Sequence, residues 1–275
     1  MNLRLLKRAK GTLPQVKAAA QWLRDELGNP GWEYLPGGWD TPSEGTEGWG
    51  HQSILDTELT KWPTFERFGA EPVPLALDQA NPQLGQHNNF VTFAYVLARV
   101  AHLKPAISML DWGGGIGHYA QVARAVLPEV EVDYHCKDMP LLAEAGPKQL
   151  PKAHFYSDDT CFARTYDLVM ANDALMLSRD WAEDFGKLAA SAAPWLYVAL
   201  PTVVTVPSFV VLQRAHQFGF LTSFKEWFIN RLELLAAAEK AGVVLEREFV
   251  QSGIGRVHRA PEQGRFRGFL FRKRS

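Results

Sequence analysis

Between residues 107 and 200 the chain alternates short apolar runs with stretches of helical period, and no other feature limits its fold so strictly. The runs fall at 107–112, 130–137, 153–156, 166–171 and 195–200. Strands separated by helices cross over to pair in parallel, and a parallel sheet needs helices on both faces. The preceding stretch, QHNNFVTFAYVLARVAHL at 86–103, puts Phe90, Phe93, Ala94 and Leu97 on one face at the helical spacing. After residue 200 comes a long connection, then SFKEWFINRLELLAAAEKAG at 223–242, which reads as a helix. Ser223 and Glu226 have capping-box spacing and Gly242 suits its end. VVLEREFV and RFRGFLFRKR follow with only a loop between them, the usual signature of an antiparallel pair.

The expected fold class is therefore α/β: a doubly wound, mostly parallel sheet of seven strands, Rossmann-like, with its last strand antiparallel. At 275 residues the chain accommodates one such domain, placed at 86–275, and an N-terminal extension at 1–85. That extension begins with a basic segment and a helix at 14–27. A Gly- and Pro-rich loop at 29–50 follows, with Trp32, Trp39 and Trp49, and then a partly helical stretch at 51–69. A net charge of −1 argues against a general nucleic-acid binder. No apolar run is long enough to span a bilayer, so no integral membrane segment is expected. Cys136 and Cys161 lack metal-ligand spacing; no metal site is expected, and a reducing, cytoplasmic setting is the simpler reading.

MLDWGGGIGHYA, at 109–120, follows the first apolar run of the alternation. A Gly-rich turn there lies at the carboxyl edge of the sheet, where ligands of such folds bind. The dinucleotide pattern G-x-G-x-x-G fails, because His118 stands where its third glycine belongs. No Lys-Ser/Thr pair follows the glycines, so the P-loop fails as well. The pattern G-x-G-x-G is met by Gly113, Gly115 and Gly117, with Gly114 in addition.

On this motif, an apolar strand ending in an acid and then G-x-G-x-G, the chain resembles the class I S-adenosylmethionine-dependent methyltransferases. GWEYLPGGW, VPSFVVLQR and the stretch from SFKEWF to EREF extend the likeness over most of the chain. They resemble a bacterial methyltransferase family often encoded among surface-polysaccharide genes. The resemblance implies S-adenosylmethionine as cofactor, with Gly113, Gly115 and Gly117 allowing close backbone approach. Asp111 would act near the methionine end, directly or through the loop and water. Asp138, about 20 residues past the glycines, is expected to take the ribose hydroxyls, with Met139 against the adenosine. Asp158 is expected near the adenine amino group. Asn172, in the pair Asn172–Asp173 that ends the fourth strand, is expected to border the cofactor.

The expected reaction is in-line methyl transfer, most simply O-methylation of a small-molecule or glycan acceptor. A base would serve a hydroxyl acceptor, and His216 and His87 are the candidates, with His118 beside the glycines a third. Trp32, Trp39, Trp49 and Trp227 are candidates for a stacking lid or for plain packing of the N-terminal segment. Two other readings stand beside this one: a catalytically inactive binding or scaffold protein on a cofactor fold, and a nicotinamide-dependent oxidoreductase. The oligomeric state is left open.

Overall fold

A computed structural model of the protein describes residues 31–43, 48–70, 77, 78, 81, 82, 84–215, 220–253 and 257–274. The helix expected at 14–27, the basic start of the chain and His216 lie outside the described residues. Among those described, no helix is long and apolar enough to cross a membrane.

Ten strands build the main sheet: β1 (Trp32–Leu35), β2 (Ala106–Trp112), β3 (Glu131–Lys137), β4 (His154–Tyr156) and β5 (Tyr166–Asn172), then β6 (Ala192–Val204), β7 (Phe209–Arg214), β8 (Ser223–Asn230), β9 (Val243–Gly253) and β10 (Arg265–Lys273). Among the described residues the α-helices are α1 (Gln52–Ala70), α2 (Leu84–Val100), α3 (His118–Val126), α4 (Pro140–Gln149), α5 (Trp181–Ser191) and α6 (Arg231–Lys240). Strands β4, β3, β2, β5 and β6 lie side by side in parallel. β10 then pairs antiparallel with β6, and β9 antiparallel with β10. The expected seven-stranded, mostly parallel sheet with a reversed last strand is thus present.

The two faces of this sheet carry separate apolar layers. On one, Phe90, Phe93, Val96, Leu97 and Val100 of α2 and Val122 of α3 cover Met109, Leu168 and Met170. On the other, Phe185 and Leu188 of α5 and Leu234 of α6 cover Leu110, Val169, Leu196 and Phe269. The alternation of buried strand runs with one-sided helices follows from this sandwich.

The sequence reading fails at 223–230, which is strand β8 and not the first half of a helix. Phe224, Glu226 and Phe228 are buried while Lys225 and Trp227 are less so, a period of two. The helix starts only after Asn230, whose side-chain oxygen accepts the N–H groups of Leu232 (2.8 Å) and Glu233 (3.1 Å). Ser223 and Glu226 therefore form no capping box. Gly242 does end the helix, with φ +73° and its N–H on the Glu239 carbonyl at 3.1 Å.

β6 is also longer than its apolar run, reaching Val204, where its end pairs with Ile229 and Asn230 of β8. β8 pairs antiparallel with β7, and β7 antiparallel with β1. An antiparallel ribbon from the long connection and the N-terminal segment thus extends the sheet beyond its seven strands.

Candidate functional site

The carboxyl ends of β2, β3 and β5 meet at the glycine turn, and most of its glycines have packing reasons of their own. A Cβ on Gly113 would lie 2.3 Å from the Ala174 Cβ, and one on Gly117 would lie 2.5 Å from Leu150 Cδ1. One on Gly114 would lie 2.6 Å from the Asp111 carboxylate and 2.8 Å from Cys136 Sγ. Gly115 differs. Its φ is +63°, and a Cβ there would meet only ordinary contacts, Glu58 Oε2 at 3.5 Å and His118 Nδ1 at 4.0 Å, so the need for glycine is conformational rather than steric.

Asp111 lies beneath that turn, fully buried. The Tyr134 hydroxyl donates to its Oδ2, while Oδ1 has no partner among the described residues. Burial raises its pKa to about 7, against the opposing effect of the Tyr134 bond.

Asp138, directly after β3, reaches across to the turn. Its Oδ1 accepts the Met139 N–H at 2.6 Å and its Oδ2 the Gly115 N–H at 2.7 Å. Burial raises its pKa to about 6 despite those two bonds. Met139 is exposed and begins the next turn.

Above the turn runs α1, from the segment before the parallel sheet. His118, fully inside the protein, holds it: Nδ1 is 3.1 Å from Glu58 Oε2 and Nε2 is 3.3 Å from the Glu58 carbonyl. The Trp62 and Phe65 rings pack on the same imidazole, at 5.3 Å and 4.3 Å. Burial lowers the His118 pKa, with Glu58 opposing. His118 therefore anchors the helix that covers the site.

Asn172 and Asp173, at the end of β5, have different surroundings. Asn172 Oδ1 accepts the Asn89 amide at 2.9 Å, and Asn89 also meets the Tyr119 hydroxyl at 2.6 Å and Gln251 at 2.7 Å. Asp173 adopts φ +53° and leaves its side chain accessible to solvent within a recess of the protein. Enclosure by protein raises its pKa to about 7; Lys61 opposes the rise and Glu58 adds to it. Facing it from β8 is the buried Glu226, raised to about 8 by burial, with the Asp173 charge adding to the effect. Glu226 Oε1 accepts the Thr202 hydroxyl at 2.9 Å.

The other expected residues are more scattered. Asp158 caps the short turn Asp159–Ala163, accepting the Thr160 N–H at 3.0 Å and the Thr160 hydroxyl. His87 lies in the first turn of α2, two residues before Asn89. The tryptophans do not form one lid. Trp32 packs on Phe228 and Phe266, Trp39 stacks on Trp227 at 5.9 Å, and Trp49 lies against Phe220 and Phe224. Sequence reasoning missed Glu58, Tyr134, Asn89 and Glu226, which reach the site from elements distant in sequence. Asp173 was visible beside Asn172, and its position at a strand end was the signal.

The strand order, the reversed last strand and the turn after the first parallel strand define the class I methyltransferase fold. A protein of Galdieria sulphuraria assigned as a sarcosine dimethylglycine methyltransferase superposes with a TM-score of 0.50 at 14% identity, over 79% of this chain and 97% of that one. Magnesium protoporphyrin IX methyltransferase from Synechocystis PCC 6803, solved with bound SAM, gives 0.49 at 12% identity, over 82% and 98%. The 1,6-didemethyltoxoflavin-N1-methyltransferase of Burkholderia thailandensis gives 0.47 at 12%, over 86% and 94%. No family model and no curated protein matches the chain.

Proposed function

We propose that this chain is an S-adenosylmethionine-dependent methyltransferase acting in the cytoplasm on a hydroxyl of a small molecule or glycan. The observation that carries this reading is the left-handed Gly115 backbone, uncrowded and set among the acids Glu58, Asp138 and Asp173. An acidic recess suits a ligand bearing a sulfonium and an ammonium group, and it repels a pyrophosphate. The N–H of Gly115, which a phosphate would need, is already on Asp138. Both facts argue against the nicotinamide reading. The free, buried Cys136 and Cys161 are compatible with a reducing compartment.

The residues fit the cofactor in the following way. When bound, S-adenosylmethionine supplies an electrophilic methyl group. Gly113, Gly115 and Gly117 form the turn that the ligand lies against, and Asp111 with Tyr134 supports that turn from below. Asp138 accepts the ribose hydroxyls, with Met139 beside the adenosine. Asp158 keeps its second carboxylate oxygen for the adenine amino group, and Asn172, fixed by Asn89, borders the cofactor. Asp173, with a pKa near neutrality and an accessible carboxylate, takes the acceptor proton. His87 lies on α2, in its first turn, and His216 lies outside the described residues. A hydroxyl acceptor is the class that needs such a base.

Calorimetry with S-adenosylhomocysteine and with NAD tests the reading. Binding of the first and not the second is expected. Binding of NAD alone overturns the proposal, and binding of neither favours the scaffold reading. Transfer of labelled methyl to sugar and small-molecule hydroxyls then separates an enzyme from a binder.

A further inference from the structure

A second constellation lies on the edge of the sheet, away from the glycine turn. Asp133 and His135 alternate on β3, so both point to one face, and His154 of β4 is the direct cross-strand neighbour of His135. Asp133 lies five residues before Asp138, about 16 Å along the strand direction. One donor atom from each of the three side chains falls within 4.8 Å of the others. His135 Nε2 is 3.1 Å from Asp133 Oδ2, and His154 Nε2 is 3.5 Å from Asp133 Oδ1. The two imidazole rings stack at 4.4 Å, only 18° from parallel.

We propose that Asp133, His135 and His154 form a binding site for a zinc-type divalent cation, which clamps the edge strand β4 onto β3. Two donors about 2.0–2.1 Å from a tetrahedral ion stand about 3.3 Å apart, close to both separations to Asp133. Two imidazoles and a carboxylate are a donor set that zinc accepts. The surroundings also orient the ligands. His135 Nδ1 is 2.9 Å from the Tyr156 hydroxyl, and as a donor there it leaves the Nε2 lone pair free for a metal. Asp133 and His154 are partly exposed, so an ion has a path in from solvent.

In the metal-free protein Nε2 has other neighbours. Besides Asp133 Oδ2, Arg164 Nη1 lies 3.2 Å from His135 Nε2, and Arg164 Nη2 lies 3.3 Å from Asp133 Oδ2. The guanidinium thus holds two of the three ligands and is the group that an incoming cation displaces. Its side chain is half-exposed, and swinging it into water gives up its place over the Tyr166 ring, 5.2 Å from the centroid. β4 gains most from such a clamp, since it is three residues long and pairs on one side only.

The test is titration of the metal-free, full-length chain with zinc chloride against a chromophoric chelator, with melting curves recorded in parallel. One ion per chain is expected, together with a rise in Tm. His154→Ala changes an exposed side chain and should weaken binding at least about tenfold while abolishing the zinc-dependent Tm rise. Arg164→Ala removes the competing cation and should tighten binding. The proposal is overturned if the chain takes up no stoichiometric zinc, or if His154→Ala binds it as the parent does. Unaltered affinity in Arg164→Ala overturns the displacement of the guanidinium.

Discussion

Asp138 Oδ2 accepts the Gly115 N–H at 2.7 Å, so the acid ending one strand closes the turn ending its neighbour. A ligand entering this recess finds both groups already positioned. It meets an acceptor whose two oxygens each hold one backbone donor, Gly115 N–H and Met139 N–H.

Asp138→Ala should therefore weaken S-adenosylhomocysteine by at least about tenfold, since hydrogen bonds to a charged group contribute about 1.5–3 kcal/mol. Calorimetry reads this directly. Equal affinity in the variant removes Asp138 from the ribose site.

The glycines separate folding from binding. Gly114→Ala drives a methyl group into Asp111 and Cys136 and should cost about 3 kcal/mol in chemical denaturation, the upper end for overpacking. Gly115→Ala makes only ordinary contacts, with Glu58 at 3.5 Å, and carries the left-handed backbone strain, about 1–2 kcal/mol, yet it should abolish cofactor binding. Equal stability losses for the two would contradict the packing described for this turn.

Four acids make stability fall with pH. Asp111, Asp138, Asp173 and Glu226 have pKa values raised by burial to about 7, 6, 7 and 8. The folded chain holds protons that the unfolded chain has already released, so this contribution is full below the ordinary carboxylate range and is lost as pH rises through 6–8. Tm is expected to drop between pH 6.5 and 8.5. The lowered pKa of His118 places its titration below that window. A flat or rising Tm would mean that these carboxyls are already ionised in the fold.

Asp173→Asn should lower kcat at least about a hundredfold with little change in S-adenosylhomocysteine affinity, if Asp173 removes the acceptor proton. The parent rate should fall below about pH 7, where Asp173 is protonated. A variant that keeps both the rate and the acid limb assigns the base elsewhere.

The parallel half of the fold was legible because each strand and helix carries its own period. Phe93 and Leu97 are buried together on α2, and Leu168 and Val169 back to back in β5. The glycine turn was equally legible, since few chains place so many glycines behind an apolar strand. β8 was misread because Ser223 and Glu226 mimic a helix start, while the inward alternation of Phe224, Glu226 and Phe228 has meaning only once β7 and β6 flank it. Glu58 carried no local signal, because its place over Gly115 depends on how α1 docks on His118. The same holds for Asp133, His135 and His154, whose proximity comes from strand pairing and not from their spacing along the chain.

β1 has a consequence for any attempt to trim this protein. It covers the outer side of β7 through the pairs Trp32 with Gln213 and Leu35 with Val210. A shortened chain starting at residue 86 would bare a strand of the sequence FVVLQR, with free amide and carbonyl groups along its rim. Such a rim recruits other copies and drives precipitation. The short strand near the start thus keeps that rim paired, whatever chemistry the carboxyl ends of the parallel strands perform.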